Sequence, residues 1–381
     1  MIYFDNAATT FPKPRAVGEA VTQAMRLYGA NPGRSGHQMA VKTAEQVYAC
    51  RERAAQLFGC QPEQVVFTQN CTHAINMAIK GVAQPGDHFI ISDLEHNAVA
   101  RTVHQLYLDG IASYTIAATG PTEETTLASF AQALRPNTKM ICCTHGSNVF
   151  GNILPVAKIG GLARANNVLM LVDAAQTAGV LDIDVVRDNI DFLCMPGHKS
   201  LYGPSGTGML IINCQEPLHT LMEGGTGSAS LELAMPDFLP DRLESGTINT
   251  TGIIGLKSGM GYVMRHGTKK LYTHEMSLAQ AIYRQLSPNP QVHFYGPPPT
   301  MGQTLPVLAF TVGRLDGMET SELLSRHGIA TRGGFHCAKL AHEKMGTNEI
   351  GVARVSIGGF NTMEHVNYLC NTVKKYCKSV E

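Results

Sequence analysis

Several features that often betray function are missing from this 381-residue chain, and each absence narrows the field. Thirty lysines and arginines are matched by thirty aspartates and glutamates, so the formal net charge is zero. Such a chain projects no field toward nucleic acid or an anionic membrane, and neither is expected as a partner. The longest apolar runs, Val168 to Val172 and Gly208 to Ile212, are strand-sized, so no membrane span is expected. The opening Met1-Ile-Tyr-Phe-Asp5 lacks the basic and apolar segments of a secretory signal. None of the ten cysteines, scattered from Cys50 to Cys377, stands in CxxC spacing, which favours free thiols in a reducing, cytoplasmic setting over a disulfide framework. There is no internal repeat, low-complexity tract or charge run. Tryptophan is also absent, which says nothing about function.

What is present points to a mixed fold. At roughly 150 residues per domain, the length suggests two to three domains. An apolar content of 44% can bury a sizeable core, while 38 glycines give more backbone freedom than a helical bundle tolerates. Short β-branched runs ending in Gly, Ser, Thr or Asp alternate with stretches of helical period, the pattern of a mainly parallel sheet covered by helices. Strands are expected at 64–68, 88–92, 139–144, 168–173, 192–195 and 208–212, and helices at 72–82, 98–108 and 156–166. A second region begins near residue 252, with helices at 254–266 and 272–286, a proline-rich corner at 296–299, a strand at 307–312, and helices at 320–327 and 362–377.

Chemistry concentrates at the ends of the expected strands. Lys199 sits in the glycine-rich turn Met195-Pro-Gly-His198-Lys199-Ser-Leu-Tyr-Gly-Pro-Ser-Gly206, between two strands. Burial there lowers an amine's pKa and favours the neutral form that a Schiff base requires; taken alone, the residue reads more readily as a surface lysine in a loop. The strand ending in Asp173-Ala-Ala-Gln176 delivers a carboxylate to the carboxyl edge of the sheet, where ligands of such sheets collect. An acid there can keep a pyridinium nitrogen protonated, so a Lys and an Asp together suit pyridoxal phosphate. The plainer reading of Asp173 is a helix N-cap. Free N–H groups at Asn70 to Thr72, with the Thr72 hydroxyl, suit a phosphate. His96, at the next strand end, is placed to lie over a flat ring or to be an ordinary loop residue.

With these motifs in order, the chain resembles the class V aminotransferase-fold enzymes, and among them the group II (SUF-type) cysteine desulfurases and selenocysteine lyases. The matching stretches run from Tyr3-Phe-Asp5-Asn6-Ala7-Ala8-Thr9 to Ala353-Arg354-Val-Ser356-Ile-Gly358-Gly-Phe-Asn361. Between them lie Glu95-His96-Asn97, Ser147-Asn148-Val149, Gly197-His198-Lys199, Glu244-Ser-Gly246-Thr247-Ile-Asn249 and Arg332-Gly-Gly-Phe-His336-Cys337-Ala338. The resemblance implies a PLP-dependent transferase of the aspartate aminotransferase-like fold type I. Its large α/β domain would span 16–251, and a smaller α+β domain would join 1–15 to 252–381 and carry the Cys337 loop. By the same resemblance Lys199 would hold pyridoxal 5'-phosphate, Asp173 would pair with its ring nitrogen, Gln176 would reach its phenolic oxygen and His96 would stack on it. Its phosphate would meet Cys71, Thr72, His198 and Thr247 of a second subunit, which requires a homodimer. The substrate L-cysteine, or L-selenocysteine, would be held by Arg354 and Asn148, with Arg332, Ala8 and His37 nearby. Cys337 would attack its sulfur, leaving a persulfide and releasing L-alanine, the sulfur then passing to an acceptor protein as in iron–sulfur cluster assembly.

Arg332 and His336 make sense as positive neighbours of the Cys337 thiolate, and Gly333-Gly334 argue for a mobile or tightly turned loop; a free Cys is otherwise most often a small core residue. Three positions depart from the family pattern. Pro196 replaces a hydroxyl residue that touches phosphate, Cys71 replaces threonine, and Asn70 replaces a glycine, tolerable because asparagine accepts left-handed angles. The loop Tyr28-Gly-Ala-Asn31-Pro-Gly-Arg34-Ser-Gly36-His37 borders the site or is plain surface. His336, Cys337 and His342 lack a fourth ligand at a usual spacing, so no metal is expected. The competing readings are another C–S lyase, an aminotransferase or a kynureninase-like hydrolase on the same fold, and a non-catalytic scaffold.

Overall fold

A strand with a continuous apolar run needs cover on both faces. Strand Thr138–Thr144 shows how this is met: Met140 and Cys142 point to one side, Ile141 and Cys143 to the other, and all four are fully buried. The structure, a computed structural model, describes residues 1–33 and 36–379. In it this strand lies within a seven-stranded sheet. From one edge the order is Val65–Thr68, Gly208–Ile212, Phe192–Pro196, Leu169–Asp173, Thr138–Thr144, Asp87–Ser92 and Ala112–Ala117. Neighbours run parallel except Gly208–Ile212, which is antiparallel to both of its partners. Helices Gln38–Phe58, Glu123–Ala133 and Val156–Ala165 cover one face through residues such as Val47, Phe58, Phe130 and Ile159. Cys71–Val82 and Asn97–Leu108 cover the other through Ile75, Ile79, Val99 and Val103. The expected α/β architecture with a mainly parallel sheet is the one observed.

A second, antiparallel sheet has the order Arg332–Gly334, Val352–Ser356, Val307–Val312 and Val292–Tyr295. Helices Thr268–Leu286 and Met363–Ser379 pack on it around Phe310, Val355 and Leu369. The first residues of the chain join this region: Ile2–Tyr3 pairs in parallel with Ile329–Ala330, and Phe4 is buried in the same core cluster. The stretch 213–249 has no regular element. Among the described residues no helix is long and apolar enough to cross a membrane.

Several elements differ from the sequence expectation for identifiable reasons. Helix Thr250–His266 starts earlier than residue 254 because the Asn249 side chain accepts from Gly252 N–H at 2.9 Å. Helix Gly317–Arg326 starts at 317 because Asp316 and Glu319 form a capping box. Arg15–Leu27 escapes notice because it buries only Val17 and Ala24, and Gln38–Phe58 because its buried stripe includes small or polar residues such as Ala40, Thr43 and Ala54. Ala112–Ala117 is a half-exposed edge strand without an apolar run.

Candidate active site

Parallel strands deliver their carboxyl ends to one edge of a sheet, and the loops that follow them converge there. Strand Val65–Thr68 leads into Cys71, Asp87–Ser92 into His96, Thr138–Thr144 into Asn148, Leu169–Asp173 ends on Asp173, and Phe192–Pro196 leads into Lys199. The antiparallel strand starts at this same edge, with Gly208 opposite both Thr68 and Pro196, so the turn carrying Lys199 closes over the site. That turn is held from behind by helix Thr250–His266, whose Gly259 approaches so closely that a Cβ would stand 2.3 Å from the Leu201 carbonyl oxygen. The result is a cavity of about 230 Å3.

Its lining includes Ala8, Cys71, Thr72, His96, Asn148, Asp173, Gln176, His198, Lys199, Arg332 and Arg354. Asp173 is 3% exposed. Its Oδ1 accepts from the Ala175 N–H at 2.9 Å and from the Cys71 thiol at 3.4 Å, while Oδ2 makes no hydrogen bond among the described residues. Burial lowers the Lys199 pKa, partly against the pull of Asp173, so neutral amine is more accessible than on a surface lysine. Burial and the nearby Lys199 and Lys13 push His198 down to about 4, and its Nδ1 is buried without a partner among the described residues. His96 is also lowered by burial, against Asp173; its Nδ1 accepts from Ala98 N–H at 3.0 Å, which leaves the proton of the neutral ring on Nε2. Gln176 spends one Nε2 hydrogen on the Ala7 carbonyl at 3.1 Å. The N–H groups of Cys71 and Thr72, first in helix Cys71–Val82, make no hydrogen bond among the described residues. An unpaired helix start, an orphaned imidazole nitrogen, a desolvated amine and a free carboxylate oxygen are the donor set that a phosphorylated pyridine aldehyde requires, so the residues fit pyridoxal phosphate.

The substrate side is built by the second sheet. Arg354, 1% exposed, is held by Asp5 Oδ1 at 2.6 Å and by the Asn148 carbonyl at 2.9 Å, and its Nε is buried without a partner among the described residues. Burial lowers its pKa, with the Asp5 charge opposing. Arg332 stands directly opposite Arg354 in the antiparallel pair, and like charges so placed repel unless an anion lies between them.

Cys337 is exposed and does not line the cavity. Its sulfur is 3.9 Å from Arg332 Nη2, and Arg332 does line it. His336 and Cys337 both take left-handed backbone angles, φ 51° and 55°. The turn is pinned to the large sheet: Asn97 N–H donates to the Cys337 carbonyl at 2.7 Å, and Asn148 Nδ2 to the His336 carbonyl at 2.8 Å.

Three expectations are corrected. His336 is not a positive neighbour of the thiol, because burial and Arg354 depress its imidazole to about 2 and leave it neutral. Gly333 and Gly334 form a strand rather than a loop, and a Cβ on Gly333 would stand 2.6 Å from the Gly317 carbonyl oxygen. Asn70 is extended at φ −171° and caps the helix by accepting from His73 N–H, so its tolerance of left-handed angles is unused. His37 is exposed, caps helix Gln38–Phe58 and lies outside the cavity; Arg34 and Ser35 of its loop lie outside the described residues. Thr247 is exposed, bonded to Asn31, and also outside the cavity of its own chain. Pro196 lines the cavity but offers no donor.

Sequence reasoning gave no role to Asp5, the partner of Arg354, or to Asn97, which ties down the cysteine loop. It also missed Glu95, buried beside His96, whose Oε1 accepts from Ser92 Oγ and from Thr144 N–H at 2.7 Å and whose carboxyl is pushed up to about 8 by burial. Among the described residues no group of three or more His, Cys, Asp or Glu is placed to hold a metal ion, and Cys337 is a free thiol.

The Aminotransferase class-V family profile matches residues 2–369. A probable cysteine desulfurase of Methanothermobacter thermautotrophicus is 30% identical across 98% of this chain and 94% of its own length. A cysteine desulfurase of Cronobacter sakazakii is 31% identical across 97% and 91%. The apo structure of cysteine desulfurase from Thermococcus onnurineus NA1 is similar with a TM-score of 0.90 and 27% identity, covering 99% of this chain and 95% of that one.

Proposed function

Because the chain belongs to the class-V aminotransferase family, whose members work with pyridoxal phosphate, we propose that it is a cysteine desulfurase. It converts L-cysteine to L-alanine and keeps the sulfur as a persulfide on Cys337. The observation that carries this reading is one cavity lined by Lys199, Asp173 and an opposed pair of arginines, with Arg332 reaching from the cavity to the exposed Cys337 sulfur.

Pyridoxal phosphate, when bound, supplies the electron sink that lets bonds at the substrate's α- and β-carbons break. Lys199 Nζ is the amine that carries it, Asp173 Oδ2 is the acceptor for its ring nitrogen, and the Cys71 and Thr72 N–H groups and His198 serve its phosphate. His96 and Gln176 are assigned to the ring face and the phenolic oxygen. Thr247, remote from its own cavity, is assigned to the phosphate site of a second subunit, which makes the enzyme a homodimer.

Arg354 offers its unpaired Nε–H to the α-carboxylate of cysteine, and that carboxylate relieves the repulsion between Arg354 and Arg332. Cys337 Sγ then attacks the substrate sulfur. The new S–S bond forms as the substrate's Cβ–S bond breaks, the electron pair stays with the β-carbon, and protonation there gives alanine. Arg332 is the cation that the attacking sulfur's negative charge meets; the neutral His336 contributes no charge. Exposure of Cys337 leaves the persulfide within reach of an acceptor protein.

The test is alanine formation from L-cysteine by the cofactor-loaded protein and by Cys337→Ala. The wild type should turn over, and the variant should lose at least about a hundredfold in rate. Alanine release by the variant at the native rate would refute a persulfide on Cys337.

A further inference from the structure

The residue that begins helix Cys71–Val82 faces two ways. Its backbone N–H belongs to the unpaired helix start, while its side chain, 8% exposed, donates to Asp173 Oδ1 at 3.4 Å. Both residues line the cavity that holds Lys199. Asp173 Oδ1 thus has two donors, the Cys71 thiol and the Ala175 N–H, and Oδ2 has none among the described residues. A carboxylate with one oxygen doubly held cannot rotate freely, so the other oxygen is the one presented to a ligand.

We propose that Cys71 is a positioning residue for the cofactor's ring nitrogen: its thiol locks Oδ1 of Asp173 and so fixes Oδ2 as the acceptor. The inference rests on the cofactor reading above and deepens it. Burial and the Asp173 charge hold the Cys71 pKa well above that of a free thiol, so the group stays protonated and remains a donor. The same residue therefore links the two ends of the site, with its N–H at the phosphate and its thiol behind the ring-nitrogen partner. A side chain here that turned only to the phosphate would leave Oδ1 with the Ala175 N–H alone.

The test compares wild type, Cys71→Ala and Cys71→Ser by equilibrium titration with pyridoxal phosphate and by the 15N resonance of ring-labelled cofactor on the protein. Loss of one hydrogen bond to a charged carboxylate should weaken cofactor binding by about tenfold in Cys71→Ala. It should also move the ring-nitrogen resonance toward the unprotonated value, which a merely structural role would not do. Cys71→Ser, which keeps a donor, should bring the affinity back to within about twofold of wild type and return the resonance to the wild-type position. An unchanged resonance in Cys71→Ala overturns the proposal, even if affinity falls, because the side chain then acts on the phosphate or on packing alone. If borohydride traps no cofactor on Lys199 of the wild type, the cofactor reading itself fails and this inference falls with it.

Discussion

Arg354→Lys separates carboxylate recognition from the rest of the site. Arg354 is bonded through Nη2 to Asp5 and through Nη1 to the Asn148 carbonyl, which leaves the buried Nε as its one nitrogen without a partner among the described residues. Lysine keeps the charge that Asp5 needs but is a point donor, so it cannot bond Asp5 and a substrate carboxylate through a rigid fork. Losing one well-placed hydrogen bond between charged groups costs about 2–3 kcal/mol, or roughly 30- to 150-fold in kcat/KM. The carboxylate is not at the bond that breaks, so most of the loss should appear as a raised KM. The assay is alanine formation over a range of L-cysteine concentrations, with the visible band of the bound cofactor as the control for an intact ring site. A KM within threefold of wild type, with the cofactor retained, would refute the assignment. Arg354→Ala is the poorer probe, because it also leaves Asp5 without its partner.

Two further perturbations test the framework. Glu275 is 5% exposed, and burial pushes its carboxyl up to about 8, so between its usual value of 4.5 and 8 the folded chain holds a proton that the unfolded chain has lost. Stability must fall as pH rises through that window, by about 5 kcal/mol for this one group. Glu275→Gln should therefore gain stability over wild type in urea unfolding at pH 8 but not at pH 4.5, and an equal difference at both pH values would contradict the burial argument. Gly259→Ala places a Cβ 2.3 Å from the Leu201 carbonyl oxygen, against the turn that carries Lys199. It should cost about 1–3 kcal/mol and weaken cofactor binding; an unchanged melting temperature would show that the helix does not brace the turn.

The residues at strand ends were legible in the sequence because parallel strands impose a common edge, so Thr72, His96, Asp173 and Lys199 could be placed together from their positions alone. Pairings across the whole chain were not legible. Nothing local announces that Asp5 will meet Arg354, 349 positions away, or that Asn97 will hold the Cys337 carbonyl. Charge states failed for the same reason: His336 reads as a cation beside a thiol, but its protonation depends on burial against Arg354, which is a property of the assembled site. Helix Gln38–Phe58 went unseen because packing distance, more than hydrophobicity, selects the small residues of its buried stripe. The edge strand Ala112–Ala117, half in water, has no need of an apolar run.

The central claim is that sulfur leaves cysteine for the thiol at position 337. Its most direct measurement is peptide mass spectrometry of the cofactor-loaded protein after brief exposure to L-cysteine without reductant. The account predicts one added sulfur atom on the peptide containing Cys337, in amounts matching the alanine released in the first turnover. Alanine produced with that peptide unmodified, or sulfur found on another cysteine while Cys337 stays bare, would contradict it.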